Sequence, residues 1–224
     1  TLTSHNHKAD AINKAELDKL PQKLFEYRGA IKGDFNDKQL PTELILKLKE
    51  GAQVMFIKND SSGLSRYYNG KLAIVDQINQ EEITVRFPES NDCLKIEKET
   101  WENITYRHDD ESNTIDEKVL GTYTQFPLRL AWAITIHKSQ GLTFTHAIID
   151  AGSSFAPGQV YVALSRCTSL EGIVLHSRIL ANAIHSDFRI YDFNAIEQPL
   201  AQLEAHLHNE KLNYENEKIH SLFV

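Results

Sequence analysis

The alternation of apolar and polar positions divides the 224 residues into four regions. Thr1-Leu2-Thr3 reads as a short strand, followed by a helix over Lys8 to Leu20 with Ala11, Ala15 and Leu20 on a weakly apolar face. An irregular stretch holding Phe25, Tyr27 and Phe35 leads to Pro41. From Pro41 to Leu48 the pattern fits a short helix with proline in its first turn or a loop leading to a strand, and the helix is preferred. From Gly51 to about Tyr123 the period is that of strands: Val54 to Ile57, Leu72 to Ile78, Ile83 to Phe87 and Leu94 to Ile96, split by Asn-, Asp-, Ser- and Pro-rich turns. Short strands so separated predict a small barrel or sandwich. Its aromatics (Tyr67, Tyr68, Phe87, Trp101, Tyr106) read as core; an exposed Tyr67-Tyr68 pair beside Arg66 would instead stack on bases, each stack worth about 1–3 kcal/mol.

From about Thr124 to Ser177 the pattern is α/β, with a strand ending near Thr135, another over His146 to Asp150, a helix over Gly158 to Ser165 and a strand over Gly172 to His176. Residues 186 to 224 read as helical, with Leu200, Leu203, Leu207, Leu212 and Tyr214 near helical spacing. The histidines there, with His185 and His220, share no metal-ligand spacing.

The stretch Leu128 to Phe144, LRLAWAITIHKSQGLTF, holds the chemistry. Leu130 to Ile136 suit one buried strand, and His137, Lys138, Ser139, Gln140, Gly141 and Thr143 follow with donors, a cation and a permissive backbone. Ligands bind where such strands end at the edge of an α/β sheet. A second cluster, GQVYVALSR over Gly158 to Arg166, follows the probable strand Ala147 to Asp150.

Composition narrows the function. Acidic residues outnumber basic ones 31 to 24, for a formal charge of −7, whereas a simple non-specific DNA-binding module is usually basic. The charge is uneven: residues 185–224 carry seven acids against three bases, while Lys118 to Gly141 hold three bases and no acid. No apolar run approaches the ~18 residues of a membrane span, and no signal peptide is visible. Cys93 and Cys167 have no metal-like spacing and read as reduced intracellular thiols.

Together, AWAITIHKSQGLTF and GQVYVALSRCTSLEGIVL resemble motifs V and VI of superfamily-one helicases, in the form used by the Pif and RecD-type enzymes that move 5′ to 3′ on single-stranded DNA. Thr1 to Asn13 and Gly51 to Asn59 with Asn69-Gly70-Lys71 are similar, more weakly, to the opening of the second motor domain's later part and to the entry of its inserted barrel. The resemblance implies a RecA-like α/β motor domain in two parts, residues 1–50 and 124–185, an inserted SH3-like β-barrel at 51–123, and a helical extension at 186–224. It implies that Arg166 faces the γ-phosphate of ATP held with Mg2+ mainly by the first motor domain, its planar charged fork suited to the spread charge there. Gln140 and Gly141 would lie near the nucleotide. Thr135, His137, Lys138 and Thr143 would meet the DNA strand, with His5 and Asn6 (and Asn13) at a helix-start anion site; Asn6 as a helix cap is equally compatible. Gln159 and Tyr161 would orient or pack their helix, and Ser165 would bond locally.

No G-x-x-x-x-G-K-[ST] phosphate loop occurs in the sequence; Gly63 to Leu72 has the wrong spacing, and Asp109-Asp110-Glu111 reads as a solvated loop rather than a magnesium-holding motif. The chain opens on Thr1 within a strand. The expectation is therefore a C-terminal portion of a longer helicase that is itself inactive. Its partners would be single-stranded DNA, duplex junctions and the N-terminal motor domain of the same polypeptide, in a monomeric, cytoplasmic protein with no membrane contact. The alternative is a non-catalytic nucleic-acid or protein adaptor on the same fold.

Overall fold

The computed structural model describes residues 1–36, 40–109, 114–184, 187–195 and 200–220. His185 and Asp110-Glu111 lie outside them. Fourteen strands and four α-helices are formed among the described residues.

A four-stranded parallel sheet has β1 (Leu2–Thr3) near its centre, between β12 (Ile134–Thr135) and β13 (Ala147–Asp150), with β14 (Ile173–Leu175) beyond β13. Helix α1 (Asn6–Lys19) follows β1 and stops where Leu20 turns extended ahead of Pro21. Its buried residues are Ala9, Asn13 and Leu17, not the expected Ala11 and Ala15, which are exposed. The i, i+4, i+8 face was hidden because its middle member is an asparagine. Helix α2 (Gln159–Leu164) lies between β13 and β14 in sequence.

Five antiparallel strands form a second sheet in the order β11-β5-β6-β7-β8: β5 is Gln53–Phe56, β6 Leu72–Ile78, β7 Ile83–Arg86, β8 Cys93–Ile96 and β11 Leu128–Leu130. β2 (Phe25–Arg28) pairs with β4 (Ile45–Leu48). The preferred helix after Pro41 is thus replaced by its alternative, a loop into a strand. Ile45-Leu46-Lys47-Leu48 alternates exposed and buried positions with the period of 2 that a strand requires. A long ribbon, β9 (Glu99–Asp109) with β10 (Thr114–Gln125), is joined at one edge by β3 (Ala30–Gly33).

The apolar run at Leu130 to Ile136 is not one strand. Leu128–Leu130 pairs antiparallel with β5, Ile134–Thr135 pairs parallel with β1, and the chain bends between them. Asn13 holds that bend: its Nδ2 donates to the Ala133 carbonyl at 2.8 Å and its Oδ1 accepts the Ala133 N–H at 2.8 Å. Two cores result, and each borrows from the other. Leu17 of α1 packs with Val54, Phe56, Tyr67, Val85 and Leu128, while Met55 of β5 packs with Leu2, Ala131, Ile136 and Ile149.

The aromatics divide. Tyr67 is buried and stacks on Phe56 with centroids 4.1 Å apart, and Phe87 is also core. Tyr68 and Tyr106 are exposed, contrary to their reading as core. Arg66, beside Tyr67, forks onto Asp60 at 2.8 and 3.0 Å. That fork holds the Asp60 carboxyl well below the usual carboxylate range. Gly70-Lys71 forms a turn into β6 and starts no helix, so it has no phosphate-loop geometry. Helices α3 (Phe188–Ala195) and α4 (Leu200–His220) expose Phe188, Tyr191, Phe193, Leu200 and Leu207. No helix among the described residues is long and apolar enough to cross a membrane.

Candidate nucleic-acid interface

Three neighbouring parallel strands, β12, β1 and β13, end at one sheet edge, and each delivers a polar segment there. After β1 come Ser4, His5 and Asn6; after β12 come His137 and Lys138; after β13 come Ser153 and Phe155. Ser4, His5, Asn6, Thr135, His137, Lys138 and Phe155 line an open groove of about 310 Å³. The structure thus brings together five of the six residues expected to meet a nucleic-acid strand. Thr143 is the exception: it lines a different groove, of about 320 Å³, with Tyr68, Lys71, Phe87 and His146.

Local bonding fixes each segment. The Ile136 N–H donates to the Thr3 carbonyl at 2.8 Å, extending the β1–β12 ladder by one residue. His137–Ser139 then forms a single 3₁₀ turn. Ser139 is fully buried, with its hydroxyl on the Ile136 carbonyl at 2.7 Å, whereas His137 and Lys138 are exposed. Thr135 is buried and its Oγ1 accepts the Lys138 N–H at 3.4 Å, so its hydroxyl shapes the turn. Partial desolvation, then the Arg129 charge, lower the Lys138 ammonium below the usual lysine value. Lys138 and Asn6 also border an adjoining groove with Asp10, Glu43, Lys47 and Arg129.

At the helix start, the cap position belongs to His5, whose extended backbone makes no side-chain cap bond; Asn6 is already helical and is not the cap. His5 Nδ1 lies 2.8 Å from Ser4 Oγ, which lies 3.1 Å from Ser153 Oγ. Lys8 donates to Ser153 Oγ at 2.8 Å and to Asp150 Oδ2 at 2.9 Å, and Ser177 donates to Asp150 Oδ1 at 2.6 Å. Burial alone would raise the Asp150 carboxyl; these two hydrogen bonds, together with the charges of Lys8 and His176, outweigh it and hold the group below its ordinary value. Asn13, considered above for a phosphate, is buried and committed to Ala133.

The far end of the same segment turns toward α2. Gly141 has φ +80°, open to glycine far more readily than to other residues, and a Cβ there would meet nothing within 4 Å. Arg166 donates through Nε to the Val162 carbonyl at 3.0 Å, through one terminal nitrogen to the Leu142 carbonyl at 3.3 Å and through the other to Ser165 Oγ at 3.1 Å. Ser165 also bonds locally to the Val162 carbonyl. Gln159, expected to orient or pack the helix, is buried and instead orients the loop before α2, and Tyr161, expected to do the same, is 75% exposed. An exposed amide at Gln140, an open glycine backbone and a guanidinium suit a polyphosphate by donor type.

Sequence reading missed Lys8, Asp150, Ser153 and Phe155. An acid closing the apolar run Ile148-Ile149-Asp150, and an aromatic in the small-residue loop Gly152 to Gly158, were the available signals.

A mixed α/β fold whose polar groove opens at the ends of parallel strands defines the class, that of α/β proteins with a ligand edge at the strand ends. No protein-family model matches the chain. It is 30% identical over 212 residues to the ATP-dependent DNA helicase Pif1 of Campylobacter jejuni, covering 86% of this chain and 46% of that one. The structure of unliganded Pif1 from Bacteroides sp. matches with TM-score 0.76 at 44% identity, over 87% of this chain and 44% of that one. Bacteroides Pif1 bound to ssDNA matches with TM-score 0.69 at 44% identity over the same shares. By sequence and fold alike, the chain is similar to the Pif1 helicases over most of its own length. It spans less than half the length of these relatives.

Proposed function

We propose that the chain serves as the second motor domain of an ATP-dependent DNA helicase that translocates 5′ to 3′ on single-stranded DNA. In this reading residues 1–50 and 124–185 form the motor, 51–123 an SH3-like barrel and 186–224 a helical extension, in an intracellular, monomeric protein. The carrying observation is the groove that gathers His5, Asn6, Thr135, His137 and Lys138 at the ends of adjacent parallel strands. Hydroxyl, imidazole and ammonium donors there suit phosphate oxygens, and Lys138 adds a salt-sensitive contact. The likeness to an ssDNA-bound Pif1 structure supports the same choice of ligand.

The nucleotide side is proposed in the same spirit. Gln140, Gly141 and Arg166 are this chain's contribution to an ATP–Mg2+ site held mainly by a first motor domain, and bound ATP supplies the phosphoanhydride whose cleavage drives the cycle. Arg166 stabilises charge on the γ-phosphoryl group. Because the segment Thr135–Phe144 reaches the groove at one end and Arg166 at the other, it can couple the two ligands.

Binding of a fluorescent oligothymidylate to the 224-residue chain, measured from low to high salt, tests the reading. Affinity should fall with salt, and His137→Ala/Lys138→Ala should weaken it at least tenfold. Equal binding by wild type and the double variant sinks the assignment of the groove.

A further inference from the structure

Phe155 stands in a loop of small residues, Gly152-Ser153-Ser154 before it and Ala156-Pro157-Gly158 after it, and is 61% exposed. Single exposed apolar residues are ordinary on protein surfaces. Three observations set this one apart. Its backbone is fixed from below: Gln159, buried at the start of α2, accepts the Phe155 N–H at 3.1 Å and the Ala156 N–H at 3.4 Å, while its Nε2 donates to the Ser4 carbonyl at 3.4 Å. Its ring lies against His5 with centroids 5.0 Å apart, tilted by 48°. And it lines the same groove as Asn6, Thr135, His137 and Lys138.

The groove therefore has donors supplied by the β12 side and an aromatic face supplied by the β13 side. A strand's phosphates need the first, and its bases, which all carry a π face, can use the second without sequence preference. The Gln159 amide, shared between the loop and the β1–α1 turn, holds the aromatic wall in register with Ser4 and its neighbours before any ligand arrives, which lowers the ordering cost of binding.

We propose that Phe155 stacks on a nucleobase of the strand whose phosphates meet His137 and Lys138, making the groove a combined base-and-phosphate site. The proposal rests on the single-strand reading above. Stacking on Phe155 orients the strand so that its backbone runs along the β12 side.

The test compares the 224-residue chain with Phe155→Ala, Phe155→Leu and Phe155→Trp. Each is titrated by fluorescence anisotropy with labelled oligothymidylate and with an oligonucleotide of equal length carrying abasic sites. Phe155→Ala and Phe155→Leu should weaken oligothymidylate binding by about 5- to 150-fold, the equivalent of ~1–3 kcal/mol for a lost stack, with an unchanged salt slope. Both should bind the abasic strand as wild type does, and Phe155→Trp should keep wild-type affinity for both strands. Lys138→Ala should weaken both strands and flatten the salt slope by about 0.7. Phe155→Ala and Phe155→Leu chains that bind oligothymidylate like wild type, or lose both strands equally, overturn the stacking proposal while the phosphate contacts stand. A wild-type chain that binds neither strand overturns the single-strand reading itself.

Discussion

The side-chain amide of Asn13 satisfies both backbone groups of Ala133, donating to its carbonyl and accepting from its N–H, each at 2.8 Å. The same nitrogen reaches the Leu130 carbonyl at 3.5 Å. One residue of α1 thus serves in place of a ladder partner at the bend where β11 gives way to β12. Asn13→Ala would leave two buried peptide groups unpaired, at a cost of about 2–3 kcal/mol. Urea unfolding should show that loss, and a change below about 0.5 kcal/mol would remove the amide from its role as a latch.

The Arg166 guanidinium spans from α2 to the Leu142 carbonyl, one residue before Thr143. In a full-length enzyme carrying this chain, Arg166→Ala should lower ATP turnover about 10³-fold or more while leaving strand affinity without nucleotide unchanged. Arg166→Lys keeps the charge, loses the fork and should recover little of the rate. Comparable turnover in wild type and Arg166→Ala, measured under single-turnover conditions, would reject the assignment.

Gly70 sits at φ +98°, and a Cβ there would come within 2.0 Å of Leu142 Cδ2. Gly70→Ala must both strain the backbone and push Leu142 aside, costing about 2–3 kcal/mol. Since the Leu142 N–H donates to the Ser139 carbonyl at 3.0 Å, in the turn that carries His137 and Lys138, the variant should also alter strand binding, although Gly70 lines no part of the His137 groove. Gly70→Ala/Leu142→Ala should recover part of the lost stability in thermal melts.

Asp150 gives an acid-limb prediction. Its folded-state carboxyl lies below the ordinary value, so it favours the folded chain fully above the unfolded value of about 3.9, and this contribution is lost as pH falls through that value toward the depressed one. Thermal melts from pH 7 to pH 2 should therefore drop less steeply below about pH 4 in Asp150→Asn than in wild type. Parallel profiles would assign the acid sensitivity to other carboxylates.

Most strands with one buried face were legible, because Ile83 to Arg86 and Leu72 to Ile78 alternate as their packing requires. Of the residues lining the groove, Thr135, His137 and Lys138 stood out in a long motif and His5 and Asn6 at a strand-to-helix turn, whereas Ser4 and Phe155 did not, and the convergence of the first five follows from parallel pairing of β1 with β12. What was not legible depends on distant partners. The run through Ala131 to Ala133 is apolar throughout, and the residue that bends it, Asn13, lies 120 positions away. Lys8 and Asp150 are separated by 142 residues. Thr143 left the expected set because Gly141, in the left-handed region, redirects the chain toward Lys71 and His146. Tyr106 was misjudged because it stands on β9, the edge strand of a separate three-stranded sheet in which β9 pairs only with β10 and β3 lies on the far side of β10.

The division of Leu128–Thr135 between two sheets has a consequence for engineering. A five-stranded unit whose edge strand is also the approach to the ligand segment cannot be cut out at Gly51 and Tyr123 and replaced with a short linker. Such a deletion would strip β11 of its partner β5 and take Met55 from the neighbouring core, leaving His137 and Lys138 on an unanchored approach. Transplanting this unit between relatives would need the graft to run to Ala133 and to carry α1 with it.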